Sequence, residues 1–363
     1  VRIVIFGLTI SSSWGNGHAT LWRGLCRALA KRGHSVVFYE RDVPYYASAR
    51  DLTEMEAGSR LALYADWQDL YPEARRMADE CDAAIVTSFC PDALQATELV
   101  LGSNAASRIF YDLDSPVTLA RIDAGETVPW VGEHGYEDFD LVLSYAGGRT
   151  LSRLKQVLRA RRVAPLYGSV DPEVHRPAST ASHPGAAMTY MGTYSEDRDR
   201  ALNALFIEPA RRLPERRFLI GGSKYETTFP WLPNIYYSGH VAPADHAAFY
   251  RSAPLTLNVT RGPMAEAGYC PSGRLFEAAA CGTAVLSDRW DGIEEFYTPG
   301  EEILVGETPE DAVAALSLSS SELRRIGERA RARTMECHTA ERRVVELETL
   351  LAGTPEAQTA CGV

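Results

Sequence analysis

Short apolar runs alternate with stretches of helical periodicity along the whole 363-residue chain, and no other feature limits the fold so strongly. In the first half Arg2–Phe6, Ser35–Tyr39, Ala83–Thr87, Arg108–Tyr111, Leu141–Ser144 and Val163–Leu166 read as strands. Helical patterns lie between them at Ala19–Arg32, Tyr71–Glu80, Pro91–Gly102 and Arg149–Arg159. The second half repeats the theme. Its strands are Ala187–Met191, Arg217–Gly221, Ile235–Ser238, Leu255–Asn258, Ala284–Leu286 and Ile303–Val305. Its helices are Asp197–Arg212, Pro243–Ser252, Arg274–Ala280, Pro309–Ala315 and Ser320–Met335. Strand–helix alternation predicts parallel sheets covered on both faces, because a parallel pair needs a crossover that returns over the sheet. Two consecutive α/β modules, each a doubly wound parallel sheet with a core of its own, are the simplest account. Glycine, aspartate and two prolines within Tyr167–Pro177 mark the connection. The expected domains are residues 1–170 and 171–337, followed by a helix over 338–351 and a small, polar tail over 352–363 that is expected to be disordered.

The stretch Pro271–Asp288 carries the most chemistry. Pro271, Ser272 and Gly273 turn into a helix, with Ser272 placed to act as its N-cap. Free amides there, with Arg274 in the first turn, suit a phosphate. Glu277 follows one turn later, near the face carrying Gly273 and Arg274, and its carboxylate can accept two hydroxyls, as the diol of a ribose offers. Ala278–Ala280 allow close packing, and Cys281-Gly282 ends the helix before an apolar strand. A phosphate site one turn from a diol acceptor is what a nucleotide-binding half-domain requires.

Ser-x-Arg-x-Phe-Glu-Ala-x-Ala-Cys-Gly-Thr over Ser272–Thr283, then Ser287-Asp288 and Gly292–Phe296, resembles the donor-sugar domain of GT-B glycosyltransferases. It is most similar to family 4-like enzymes of the spore-maturation-protein-like branch. The resemblance implies two Rossmann-like domains facing across a cleft, with the acceptor on the first and a nucleotide diphosphate-sugar on the second. It places Glu277 on the ribose, and Gly192, Arg198, Lys224, Ser272, Gly273 and Arg274 around the diphosphate. His240 and Val241 would lie along the base. It implies no metal and no cofactor other than the nucleotide-sugar as co-substrate, and a retaining outcome at family level. The helix over 338–351 resembles the family's last helix, which crosses back to the first domain. One departure stands out. The family's second glutamate, separated from the one matching Glu277 by seven residues, is Tyr269 here, and Glu266 is out of register.

The first half offers candidates of its own. Trp14, Gly15, Asn16 and Gly17 form a glycine-containing turn before a helix, which in GT-B enzymes faces the cleft. His18 there reads either as an acid/base or phosphate donor, or as a histidine satisfying the helix start. Asp112 and Asp114 end a strand two residues apart, where ligands bind in open α/β sheets. They read as catalytic carboxylates, turn caps or a metal clamp. Glu40 at the end of the second strand keeps a dinucleotide-dependent dehydrogenase open as an alternative, alongside a GT-B epimerase and a non-catalytic nucleotide-sugar binder.

Composition narrows the partners. A net charge of −11 argues against nucleic acid, and Arg153, Arg159, Arg161 and Arg162 read as a solvated face or a local basic patch. No apolar run reaches the roughly 18 residues of a membrane span. Val1–Gly7 reads as a buried strand, not a signal peptide. Seven scattered cysteines suggest reduced thiols and a cytoplasmic location. The expected partners are thus a nucleotide-sugar and a small-molecule or soluble glycan acceptor.

Overall fold

In a computed structural model, which describes residues 1–56 and 58–353, the chain forms two α/β units. The first comprises Val1–Ser13, Gly17–Tyr167 and the chain from Ala340; the second comprises Gly168–Thr339, with Trp14–Asn16.

The first unit runs β1 (Arg2–Gly7), α1 (His18–Lys31), β2 (Ser35–Arg41), α2 (Pro44–Ala47), β3 (Ser59–Tyr64), α3 (Trp67–Glu80) and β4 (Ala83–Thr87). It continues with α4 (Ala93–Leu101), β5 (Ser107–Asp112), α5 (Ser115–Asp123), β6 (Leu141–Ser144), α6 (Arg149–Leu158) and β7 (Val163–Pro165). The sheet order is β3-β2-β1-β4-β5-β6-β7, every neighbouring pair parallel. Alternate side chains of β1 feed opposite cores. Val4 and Phe6 join Trp67, Ala74 and Val86 on one face; Ile3 and Ile5 join Trp22, Leu25 and Phe38 on the other. That division is why the strands read as continuous apolar runs.

The second unit runs β8 (Ala186–Met191), α7 (Asp199–Leu202), a π-helical stretch Asn203–Ile207, α8 (Glu208–Arg212), β9 (Arg217–Gly221), β10 (Ile235–Tyr237), α9 (His246–Tyr250) and β11 (Leu255–Asn258). After it come α10 (Gly262–Ala267), α11 (Gly273–Ala280), β12 (Ala284–Asp288), β13 (Leu304–Gly306), α12 (Pro309–Leu316) and α13 (Ser320–Cys337). Its order is β10-β9-β8-β11-β12-β13, again wholly parallel. Capping boxes at Thr308/Asp311 and Ser319/Glu322 start α12 and α13. The expectation of doubly wound parallel sheets holds in both units. Pro209, which would interrupt a single helix over 197–212, instead stands at the start of α8 directly after the π-helical stretch.

The two passages of the chain between units run side by side: Val170 bridges to Thr339, and Val170 N donates to the His338 carbonyl at 3.0 Å. The last helix, α14 (Ala340–Leu351), then lies in the first unit. Val344, Leu347 and Leu350 enter the core beside α1, and buried Arg343 donates to the Tyr167 carbonyl at 3.1 Å. Glu348 accepts from Arg32 at 2.6 Å and pairs with His34 Nε2 at 2.6 Å.

Two corrections follow. The six strands expected in the first half are seven, because the edge strand β3 is half-exposed. Ser115–Asp123, where no element was expected, forms α5, with Asp114 at its N-cap position. Of the two readings of the arginines around α6, the solvated face holds: Arg153 pairs with Asp123, Arg159 and Arg161 pair with Glu137, and Arg162 donates to the Leu350 carbonyl. Cys26, Cys81, Cys90, Cys270 and Cys281 are buried free thiols. The expected tail falls, from residue 354 on, outside the described residues. Among those residues no helix is long and apolar enough to cross a membrane.

The Arg32 hydrogen bond, with His34 beside it, holds the Glu348 carboxyl down to about 2. A carboxylate lowered on folding contributes stability that is complete above its unfolded value and disappears as pH falls through the folded one. The difference in thermal stability between wild type and Glu348→Gln is therefore expected to be constant above about pH 5 and to vanish between about pH 4.5 and 2. Melting curves across that range check it.

Candidate functional site

The second unit's sheet reverses its winding between β8 and β11, where ligands of open α/β sheets bind at the strand C-terminal ends. Three glycines follow the ends of adjacent strands: Gly192 after β8, Gly222 after β9 and Gly239 after β10. Gly222 has φ +137°, and a Cβ there would lie 2.0 Å from the Gly192 carbonyl oxygen. Gly222 N donates to the Gly239 carbonyl at 2.7 Å. Only glycine permits this packing of three backbone segments. His240 and Val241 come next, with Val241 buried against Gly221. Exposed Lys224 takes the left-handed conformation, φ 65°.

Two guanidiniums converge beside this floor. Arg274, in the first turn of α11, donates to Asn258 Oδ1 at 3.0 Å and lies 5.3 Å over the Tyr190 ring. A Cβ on Gly192 would come within 2.8 Å of Arg274 Nη2. Arg198 donates to the Thr193 carbonyl at 2.8 Å, while its Nε is buried without a hydrogen-bond partner. Burial, with the like charges of Arg274 and Arg261, pulls Arg198 below its ordinary value. Cations held together at such a cost define a place for an anion. Ser272 occupies the N-cap position of α11, but its side chain makes no capping hydrogen bond, contrary to expectation. The helix start is therefore not closed by its own hydroxyl.

Glu277 sits one turn further along α11, and Tyr250 Oη donates to it at 3.5 Å. Two histidines face it: His175 Nε2 is 4.0 Å from Oε1, and His246 Nδ1 is 3.6 Å from Oε2. The two histidine nitrogens are 3.0 Å apart. Burial, opposed by the Glu277 charge, pulls His246 down to about 4, so it is neutral at neutral pH. Sequence reasoning missed Tyr190, Tyr250, His175 and His246. The histidines stand 71 residues apart, one in the connection and one on α9, and only folding brings them together.

Tyr269, in place of the family's second glutamate, has φ 50°, donates its N–H to the Asp291 carbonyl at 2.6 Å, and lies over Gly292. Glu266 is exposed on α10.

In the loop between β1 and α1, Gly15 takes φ 68° and Asn16 donates to the Trp14 carbonyl at 3.2 Å. A Cβ on Gly17 would meet nothing, so Gly17 does not mark a close approach. The loop brings two candidates together: His18 Nε2 is 3.0 Å from Asp114 Oδ2. His18 Nδ1 is buried with no hydrogen-bond partner. Asp112 is fully buried and accepts from Tyr136 Oη, Thr118 Oγ1 and Asp114 N, each at 3.1 Å. Its oxygens are thus engaged in holding the β5–α5 corner. Glu40 is equally enclosed, accepting from Thr9 Oγ1, Ser11 Oγ and the backbone of Ile10 and Ser11. It shapes the loop after β1 and has no exposed surface to offer a ribose, which removes the dehydrogenase argument built on it.

Residues 198–349 match the model of the glycosyl transferase-like family. No curated protein sequence matches the chain. Among solved structures, sucrose-phosphate synthase from Thermosynechococcus elongatus matches with a TM-score of 0.71 at 14% identity, covering 97% of this chain and 98% of the other. Anabaena HepE in complex with UDP and glucose matches at 0.69 and 12%, covering 97% and 99%. An alpha-glucosyltransferase in complex with UDP and DNA matches at 0.71 and 14%, with the same coverage. The fold is GT-B. The second unit of this GT-B chain carries the glycosyl transferase-like sequence, and its glycine floor and arginine pair lie within or beside that segment.

Two outcomes test the geometry. Gly222→Ala is expected to destabilise the second unit, read by thermal melting. Burial raises the Asp112 carboxyl to about 7. A carboxyl raised on folding loses stability as pH climbs from its unfolded value to the folded one. The stability of Asp112→Asn relative to wild type is therefore expected to rise between about pH 4 and 7 and to level off on either side.

Proposed function

We propose that the chain transfers a sugar from a nucleoside diphosphate-sugar to a hydroxyl acceptor, with the donor held by the second unit. The observation that carries this reading is the Arg198–Arg274 pair, two like charges without a matching carboxylate beside a glycine floor. A diphosphate supplies the missing charge; the guanidiniums bind its oxygens, and the uncapped start of α11 adds amides. Lys224 is placed to reach the same group. Glu277 accepts the ribose hydroxyls, and His240-Val241 lies along the base. UDP is the first nucleotide to test, since HepE and the alpha-glucosyltransferase were solved with it.

As the bond to the departing diphosphate breaks, negative charge grows on its oxygens. The arginines stabilise that charge, so the phosphate end needs no metal. In the first unit, Asp114 accepts from His18 Nε2 and orients the ring, and Nδ1, the ring nitrogen without a partner, takes the acceptor proton. Asp112 holds the corner that presents Asp114. The absent family glutamate at Tyr269 leaves the anomeric outcome to be set by product analysis. A small-molecule or soluble glycan acceptor and a cytoplasmic location belong to the same proposal.

Titration of UDP, GDP, dTDP, ADP and NAD into wild type, Arg274→Ala and Glu277→Ala tests the donor site. One nucleoside diphosphate should bind at about micromolar strength and weaken on the order of tenfold or more in each variant. Binding indifferent to both residues, or a preference for NAD, would overturn the assignment. His18→Ala and Asp114→Asn should leave that affinity intact while lowering turnover by roughly 10²-fold or more.

A further inference from the structure

Glu277 poses a problem that the ribose role leaves open. Its carboxylate receives a single long hydrogen bond, from Tyr250 at 3.5 Å, and no arginine or lysine pairs with it. Beyond the Tyr250 hydroxyl, two imidazole nitrogens face its oxygens, at 3.6 and 4.0 Å, beyond hydrogen-bond length. His175 is fully enclosed and His246 nearly so. Three ligand-type atoms thus converge from three separate places: the connection after β7, the start of α9 and the middle of α11. Nothing in the packing of α9 against α11 calls for two ring nitrogens to point at a carboxylate.

His175 Nε2 and His246 Nδ1 lie 3.0 Å apart, 4.0 Å from Oε1 and 3.6 Å from Oε2 of Glu277 respectively, and one ligand atom from each of the three residues lies within 4.8 Å of the other two. Small side-chain shifts bring them around one ion at the roughly 2.0–2.2 Å of zinc–nitrogen and zinc–oxygen bonds. Among the described residues, no other group of histidine, cysteine and carboxylate side chains converges in this way.

We propose that His175 Nε2, His246 Nδ1 and the Glu277 carboxylate bind a divalent transition-metal ion of the zinc class. Two imidazoles with one carboxylate favour such an ion over magnesium or calcium, which prefer all-oxygen shells. Three protein ligands leave a coordination position open for an exogenous oxygen. The ion supplies the positive partner that Glu277 lacks and fixes the carboxylate's orientation on α11. It lies at the ribose end of the proposed donor site, separate from the arginines at the phosphate end. This departs from the expectation of a metal-free protein.

The test uses the full chain, stripped by chelator dialysis and titrated with Zn²⁺ and Co²⁺ in the absence of nucleotide. The expected result is one ion per chain, with visible d–d absorption of low-coordinate cobalt. His175→Gln and His246→Gln should each weaken binding on the order of tenfold or more while circular dichroism stays unchanged. No binding by wild type, or binding indifferent to both variants, would overturn the metal site and leave a hydrogen-bonded histidine pair. UDP titrated into the stripped protein keeps the two readings apart. Nucleotide binding without metal binding sinks this proposal alone, and metal binding without nucleotide binding sinks the donor assignment alone.

Discussion

Every neighbouring strand pair in both sheets is parallel, and the rest of the molecule follows from that. A parallel strand cannot turn back on itself, so each is followed by a crossover, and the loops leaving strand C-termini gather along one edge of each sheet. At the winding reversal two such loops diverge and leave a gap that no helix covers. In the second unit that gap is floored by Gly192 and Gly222 and flanked by Arg198 and Arg274. In the first unit the corresponding loops carry His18 and Asp114.

The sites differ in how they hold charge. Asp112 and Glu40 are carboxylates satisfied by local hydroxyls and amides, and they serve the shape of loops. Arg198 is pulled down by burial beside the like charge of Arg274, and Glu277 faces two histidine rings with one long hydrogen bond, from Tyr250. The first class is complete in itself. The second is complete only with something bound, and this contrast separates scaffold from site more sharply than residue type does.

Much of this was legible from the sequence because it is written in short range. The strands buried on both faces are unbroken apolar runs, and the α11 motif packs glycine, arginine and glutamate into six residues, Ser272–Glu277. The edge strand β3 escaped because one face meets solvent, and its pattern resembles a loop. The fate of Ser272 was also out of reach, since a hydroxyl at an N-cap position reveals nothing about its rotamer. Glu40 misled because a carboxylate at the end of β2 reads alike whether it awaits a ribose or is consumed by the loop after β1. His175 and His246 meet through tertiary folding alone, and no local periodicity records it.

The placement of α14 has a consequence for biosynthesis. A ribosome completes residues 1–167 long before it reaches Ala340, so the first unit emerges lacking the helix that covers α1. The seat for Val344, Leu347 and Leu350 stays bare while residues 168–339 are made, on the order of 10–30 s at ordinary elongation rates. The nascent first unit therefore presents an apolar groove to the cell throughout that interval, and the helix that closes it is made only after the whole of Gly168–Thr339.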